Sequence, residues 1–154
     1  MITQASLDAF FDYHGIKIVD SRIVGDYQGD EIVVVFDPKS GQYGYLVHGY
    51  GSCSGCDVLY SFAEDLDRTD PNGDWADTAT PGEYERVCQG LTEYALRVVE
   101  MINWYPSAYD LISHLVDLAD ADTDPDENDW YSFVDEFRTA FRELAASVLL
   151  HSSN

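Results

Sequence analysis

A chain of 154 residues with 29 acidic against 8 basic side chains, a formal net charge of −21, is built to repel polyanions. That excludes direct binding to nucleic acid or to anionic membranes. An apolar content of 45%, with 11 Tyr, 7 Phe and 3 Trp, excludes a disordered polyelectrolyte and suffices for one domain with a real core.

The chain opens on a short helix through Phe10, Phe11 and Tyr13, capped by Thr3 or Ser6 and stopped at Gly15. From Ile16 to Val24 the β-branched residues predict a strand, followed by a turn at Tyr27-Gln28-Gly29-Asp30. Glu31 to Asp37 (EIVVVFD) is apolar at consecutive positions, the mark of a strand covered on both faces. In Asp37-Pro38-Lys39-Ser40-Gly41, proline presets one dihedral and glycine accepts the awkward one, so Gln42 to His48 returns antiparallel.

Asp57 to Ala63 reads as a short helix, with a strand as the rival, and residues 67–82 as a polar loop. Thr80-Pro81 starts a helix whose apolar positions run from Tyr84 through Val98 to Met101 and Ile102, and Pro106 ends it. Ser107 opens another through Leu111, Leu115 and Leu118. The last helix enters at Asp124-Pro125 and runs to about Leu150, with Trp130, Val134, Phe137, Phe141, Leu144 and Val148 forming a packing seam. Such a seam serves an intramolecular contact more often than a dimer, so a monomer or weak dimer is expected. The fold class is therefore α+β: a three-stranded antiparallel meander (about 16–48) after a short N-terminal helix, packed against three to four C-terminal helices. The domain spans 1–154.

No run approaches bilayer length, and Met1 to Gly15 lacks the basic start and apolar centre of a leader. Three cysteines do not make a disulfide framework, so a soluble, reduced, cytoplasmic protein is expected.

Gln42 to Asp57 (QYGYLVHGYGSCSGCD) concentrates the unusual backbone chemistry. Cys53-Ser54-Gly55-Cys56 has the spacing of a redox turn, but neighbouring acids such as Asp57 would raise a thiol's pKa where that chemistry needs it lowered. Zinc is the alternative cofactor, with Cys53, Cys56, Cys88 and His48 as candidate ligands, although a second CxxC or HxxxH is missing. Gly51-Ser52-Cys53-Ser54-Gly55 matches a nucleophile elbow with cysteine for serine, and His114 and His151 lie downstream, but the large parallel sheet that such hydrolases need is not encoded. Packing of small residues in a tight loop against the helices, with no cofactor at all, is the leading explanation of the cysteines.

The acids are unevenly placed. Glu64 to Asp77 holds six acids and one arginine, and Asp117 to Asp129 holds seven acids and no base, together more than half of the net charge. Asp120, Asp122, Asp124, Asp126 and Asn128 are spaced like a calcium loop, but Pro125 occupies its glycine position and Tyr131 its final glutamate position. Carboxylates three and four apart on a helix stand about 5–6 Å from each other, a regular anionic surface that a phosphate-binding protein would accept.

The string Gly49-Tyr50-Gly51-Ser52-Cys53-Ser54-Gly55-Cys56-Asp57 resembles a loop found in small acidic proteins of bacteriophages, those of actinobacteria in particular. The resemblance implies a phage origin and carries no activity with it. The overall acidity is also similar to that of phage DNA-mimic inhibitors, which occupy nucleic-acid sites on host defence and transcription proteins. The leading expectation is a non-enzymatic acidic decoy docking on a basic host protein. Its partner-binding residues are Asp120, Asp122, Asp124, Asp126 and Asp129, then Asp65, Asp67, Asp70 and Asp74. The alternatives are a zinc or thiol protein and an acid-rich domain adapted to high salt.

Overall fold

Strand β1 (Lys17–Gly25) pairs antiparallel with β2 (Gly29–Asp37), and β2 pairs antiparallel with β3 (Gln42–Tyr50). The computed structural model describes residues 11–12, 14–25, 29–50, 93, 96–121 and 134–154. The meander is as the sequence predicts with its ends shifted: β1 runs from Lys17 to Gly25, β3 continues past His48 to Tyr50, and Gly29 and Asp30 belong to β2 and pair with Gly25 and Val24. The β2–β3 turn is held by Asp37, whose carboxylate accepts from the Lys39 amide at 2.9 Å and from the Ser40 hydroxyl at 2.7 Å. Gly41, at φ +72°, closes it by donating its N–H to the Asp37 carbonyl at 2.8 Å.

The N-terminal helix is described at Phe11 and Asp12. Its end is a Schellman motif: Ile16 N–H donates to the Phe11 carbonyl, Gly15 N–H donates to the Asp12 carbonyl, and Gly15 takes φ +70°. The apolar contact that completes such a motif is present, since Phe11 and Ile16 share one buried cluster.

A fourth strand, β4 (Asn103–Tyr105), lies against β3, giving the order β1-β2-β3-β4. Here the expected helix through Ile102 to Pro106 is corrected. Helical residues 96–100 end in a turn at Met101, and the chain then alternates. Ile102 and Trp104 face one side of the sheet and Tyr105 the other, so period two replaces period 3.6. Gly44 makes the pairing possible: a Cβ there would stand 2.5 Å from Ile102 Cγ2 and 3.0 Å from Trp104 Cε3.

Helix α1 (Ala108–Asp120) starts where Ser107 predicts. The Ser107 side chain accepts from the Asp110 amide at 3.2 Å, the N-cap bond, and its hydroxyl donates to the Asp110 carboxylate at 2.6 Å. Asp110 also sits at the positive end of the helix dipole. Helix α2 (Val134–Ser152) carries the predicted seam from Val134 to Val148, while its expected start at Asp124-Pro125 and Trp130 lies outside the described residues.

The central strand packs on both faces, as EIVVVFD predicts. Ile32 and Val34 join Leu111, Leu115, Leu144 and Val148 under α1 and α2, while Val33 and Val35 join Phe11, Leu46, Val98 and Ile102 on the opposite face. Each fully buried leucine here contributes about 1.5–3 kcal/mol relative to exposure. The α2 seam is thus spent inside the chain. The fold is α+β, and no described helix is long and apolar enough to cross a membrane.

Candidate functional site

Two kinds of carboxylate occupy the described surface. One kind is tied into the fold, chiefly along the seam between β1 and α2. A bulge at Val19 breaks the phase of β1, so Ile18 pairs with Val35 but Asp20 pairs with Val34. Ile18 therefore packs on the second core, while Asp20 turns toward α2 and accepts from Ser147 Oγ at 2.5 Å. Arg22 follows two residues on, donating to Asp20 at 2.7 Å and to Glu143 at 2.7 Å.

Burial alone would raise the Asp20 carboxyl's pKa, but hydrogen bonds from Ser147, Arg22 and the Ser21 amide outweigh it and hold the group below the usual aspartate value. The Glu143 and Asp20 carboxylates raise Arg22 further above its ordinary range, keeping it cationic. A shallow recess of about 340 Å³ lies beside this cluster, lined by Arg22, Ile23, Asp135, Glu136, Thr139 and Glu143.

The other kind faces solvent. Helix α1 bears Asp110, Asp117 and Asp120, all exposed, and has no lysine or arginine. Asp110 and Asp117 lie seven residues, about 10 Å, apart along one side of the helix. Two arginines of α2 brace its C-terminal end: Arg142 donates to Asp120 at 3.1 Å, and Arg138 donates to the Ala121 carbonyl at 3.0 Å. The second bond satisfies a terminal carbonyl where the helix dipole is negative. Sequence reasoning did not find these braces. Their signal is Arg138 and Arg142 at i, i+4 opposite an acid-rich helix end.

Of the sequence-predicted partner residues, Asp120 is placed, exposed and paired with Arg142. Asp122, Asp124, Asp126, Asp129, Asp65, Asp67, Asp70 and Asp74 lie outside the described residues, as do the candidate zinc ligands Cys53, Cys56 and Cys88. The fourth candidate ligand, His48, is 8% exposed and hydrogen-bonds through Nε2 to Glu31, 5% exposed, at 2.9 Å. A carboxylate on one ring nitrogen is the usual way to orient a metal-binding imidazole. It also satisfies two polar groups facing each other across a sheet. Among the described residues no group of three or more His, Cys, Asp or Glu is placed to hold a metal.

The other two histidines considered for hydrolysis sit against aromatic side chains. His114 Nε2 is bonded to Tyr45 at 3.1 Å, with the Tyr105 ring stacked 5.1 Å away. His151 Nδ1 is bonded to Tyr43 at 2.9 Å and lies edge-on to Phe36. Burial raises the pKa of Tyr43, Tyr45 and Tyr105, so these phenols stay protonated; Tyr43 and Tyr45 hydrogen-bond to the histidines, and Tyr105 packs through its ring.

Comparison of the chain with protein-family models, curated proteins and solved structures finds no match.

Proposed function

We propose that this chain is a non-enzymatic acidic binding protein that docks a carboxylate-rich surface on a basic partner, as phage-type inhibitors do when they occupy a host protein's nucleic-acid site. The observation behind the reading is how the few cations are used on a chain of net charge −21. Arg22 and Arg142 pair with the chain's own acids, and Arg138 caps α1. Arg138 and Arg142 meet α1 at its C-terminal end, and none of the three arginines pairs with the exposed Asp110 or Asp117, which are followed in sequence by the acid-rich 122–129 segment. Complementary charge would steer a basic partner to this face and make the complex sensitive to salt. The test is affinity capture from host lysate at low and high ionic strength. A basic partner held at low salt, released at high salt and lost on neutralising Asp117 and Asp120 supports the reading; recovery of no salt-sensitive basic partner overturns it.

A second reading, zinc held by His48 with Cys53, Cys56 and Cys88, is favoured by the Glu31 carboxylate on His48 Nε2. It requires stoichiometric zinc in freshly purified protein, lost on His48→Ala. Protein free of zinc when purified without chelator would dispose of it.

A further inference from the structure

We propose that Asp20, Arg22 and Glu136 close the outer edge of β1, as it stands in the described sheet, against strand addition by a second copy of this chain. Strand β1 is an outermost strand of the described sheet, and nine residues of open edge are a template for pairing with another molecule. Along that edge the outward backbone groups are already taken by charged side chains. Ser21 N–H donates to Asp20 Oδ1 at 2.9 Å, and the Ser21 carbonyl accepts from Arg22 at 2.7 Å. Four residues on, Gly25 N–H donates to Glu136 Oε2 at 3.1 Å.

Strand alternation turns the backbone of Ile23 outward with those of Ser21 and Gly25. Ile23 is therefore the gap between the two blocked positions, and its side chain is 64% exposed. A partner strand needs several consecutive ladder bonds, and around Ile23 it would find blocked groups on both sides. The bulge at Val19 adds a second obstacle by twisting the start of the strand out of register. This inference does not depend on which partner the protein binds.

The test is the oligomeric state of Asp20→Ala/Glu136→Ala, measured by analytical ultracentrifugation in about 0.5 M NaCl, where charge repulsion between copies is screened. Removing two of 29 acids changes the overall repulsion little. The double variant should self-associate with a dissociation constant at least about tenfold below that of the parent chain, which stays monomeric. Adding Ile23→Pro should restore the monomer, because its outward N–H carries no β1–β2 bond but would be needed by an incoming strand. If the double variant fails to fold, Glu136→Ala alone, which leaves the Asp20–Arg22–Ser147 cluster intact, should show the same association more weakly. A folded guard variant as monomeric as the parent overturns the proposal, and so does association that Ile23→Pro leaves unchanged.

Discussion

Glu31 and His48 stand directly opposite each other on β2 and β3, and their side chains meet at 2.9 Å with each less than a tenth exposed. A buried donor or acceptor that loses its partner forfeits about 1–3 kcal/mol, and more when the group left behind is charged. Glu31→Ala and His48→Ala should therefore each destabilise the fold by about 2 kcal/mol or more. Replacing both together should cost clearly less than the sum, since neither polar group is then stranded. Urea unfolding of the four proteins measures the coupling. Additive single effects would mean the two side chains do not depend on each other.

Gly44 is the contact point between β3 and β4. An alanine there would put its Cβ 2.5 Å from Ile102 Cγ2 and 3.1 Å from the Asn103 carbonyl, closer than the packing admits. Gly44→Ala should cost about 1–3 kcal/mol as overpacking, and amide exchange should rise first at residues 103–105. Ile102→Ala, which removes the clashing Cγ2, should cost less in the Gly44→Ala chain than in the parent. Unchanged protection of β4 in Gly44→Ala would show that the strand does not rely on this close approach.

The meander was legible because each of its signals has one local cause. Proline and glycine in Asp37–Gly41 fix the turn, and consecutive buried valines in β2 require cover on both faces. Strand β4 was not, because Val98, Met101 and Ile102 continue a helical spacing that breaks only when Ile102 and Trp104 alternate with Asn103. A three-residue strand is too short for its period to outweigh that run, and its pairing with Tyr43–Tyr45 is a long-range fact. The bulge at Val19 was not read from the sequence, where Ile16 to Val24 is one strand, and what it achieves, aiming Asp20 at Ser147 of α2, depends on a contact 127 residues away. Of the acidic candidates, Asp120 is described, exposed and paired with Arg142, a contact 22 residues away that the sequence reading did not include.

That pair is nevertheless a small item in stability. The Arg142 and Asp120 side chains are 60% and 62% exposed, so solvent screens their attraction. Asp120→Asn should shift stability by no more than about 0.5 kcal/mol in either direction, and Asp117→Asn likewise. Arg138→Ala removes a charged donor from a terminal carbonyl and should cost more, about 0.5–1 kcal/mol. Chemical denaturation of the three variants checks the ranking. Because both aspartate variants keep the fold, any loss of a basic partner in Asp117→Asn/Asp120→Asn reports on recognition itself. A double variant that unfolds would instead identify these acids as structural.

Stability should pass through a maximum on the acid side of neutrality. A net charge of −21 opposes compaction, and that repulsion fades as the pH falls toward the isoelectric point near 4.1. Asp20 works in the opposite direction. Its folded pKa lies below the unfolded value of about 3.9, so its contribution is complete above that pH and disappears as the pH falls through the lower, folded value. Asp37 has the same sign, because the Ser40 hydroxyl and the Lys39 amide favour its ionised form. Urea midpoints should thus rise from pH 7 to about 4.5 and fall below about 4. In Asp20→Asn the acid limb should be shallower, and the gap to the parent should narrow as the pH drops from 5 to about 2.5. A gap that holds constant across that range would show that the bonds from Ser147 and Arg22 do not favour the ionised carboxylate.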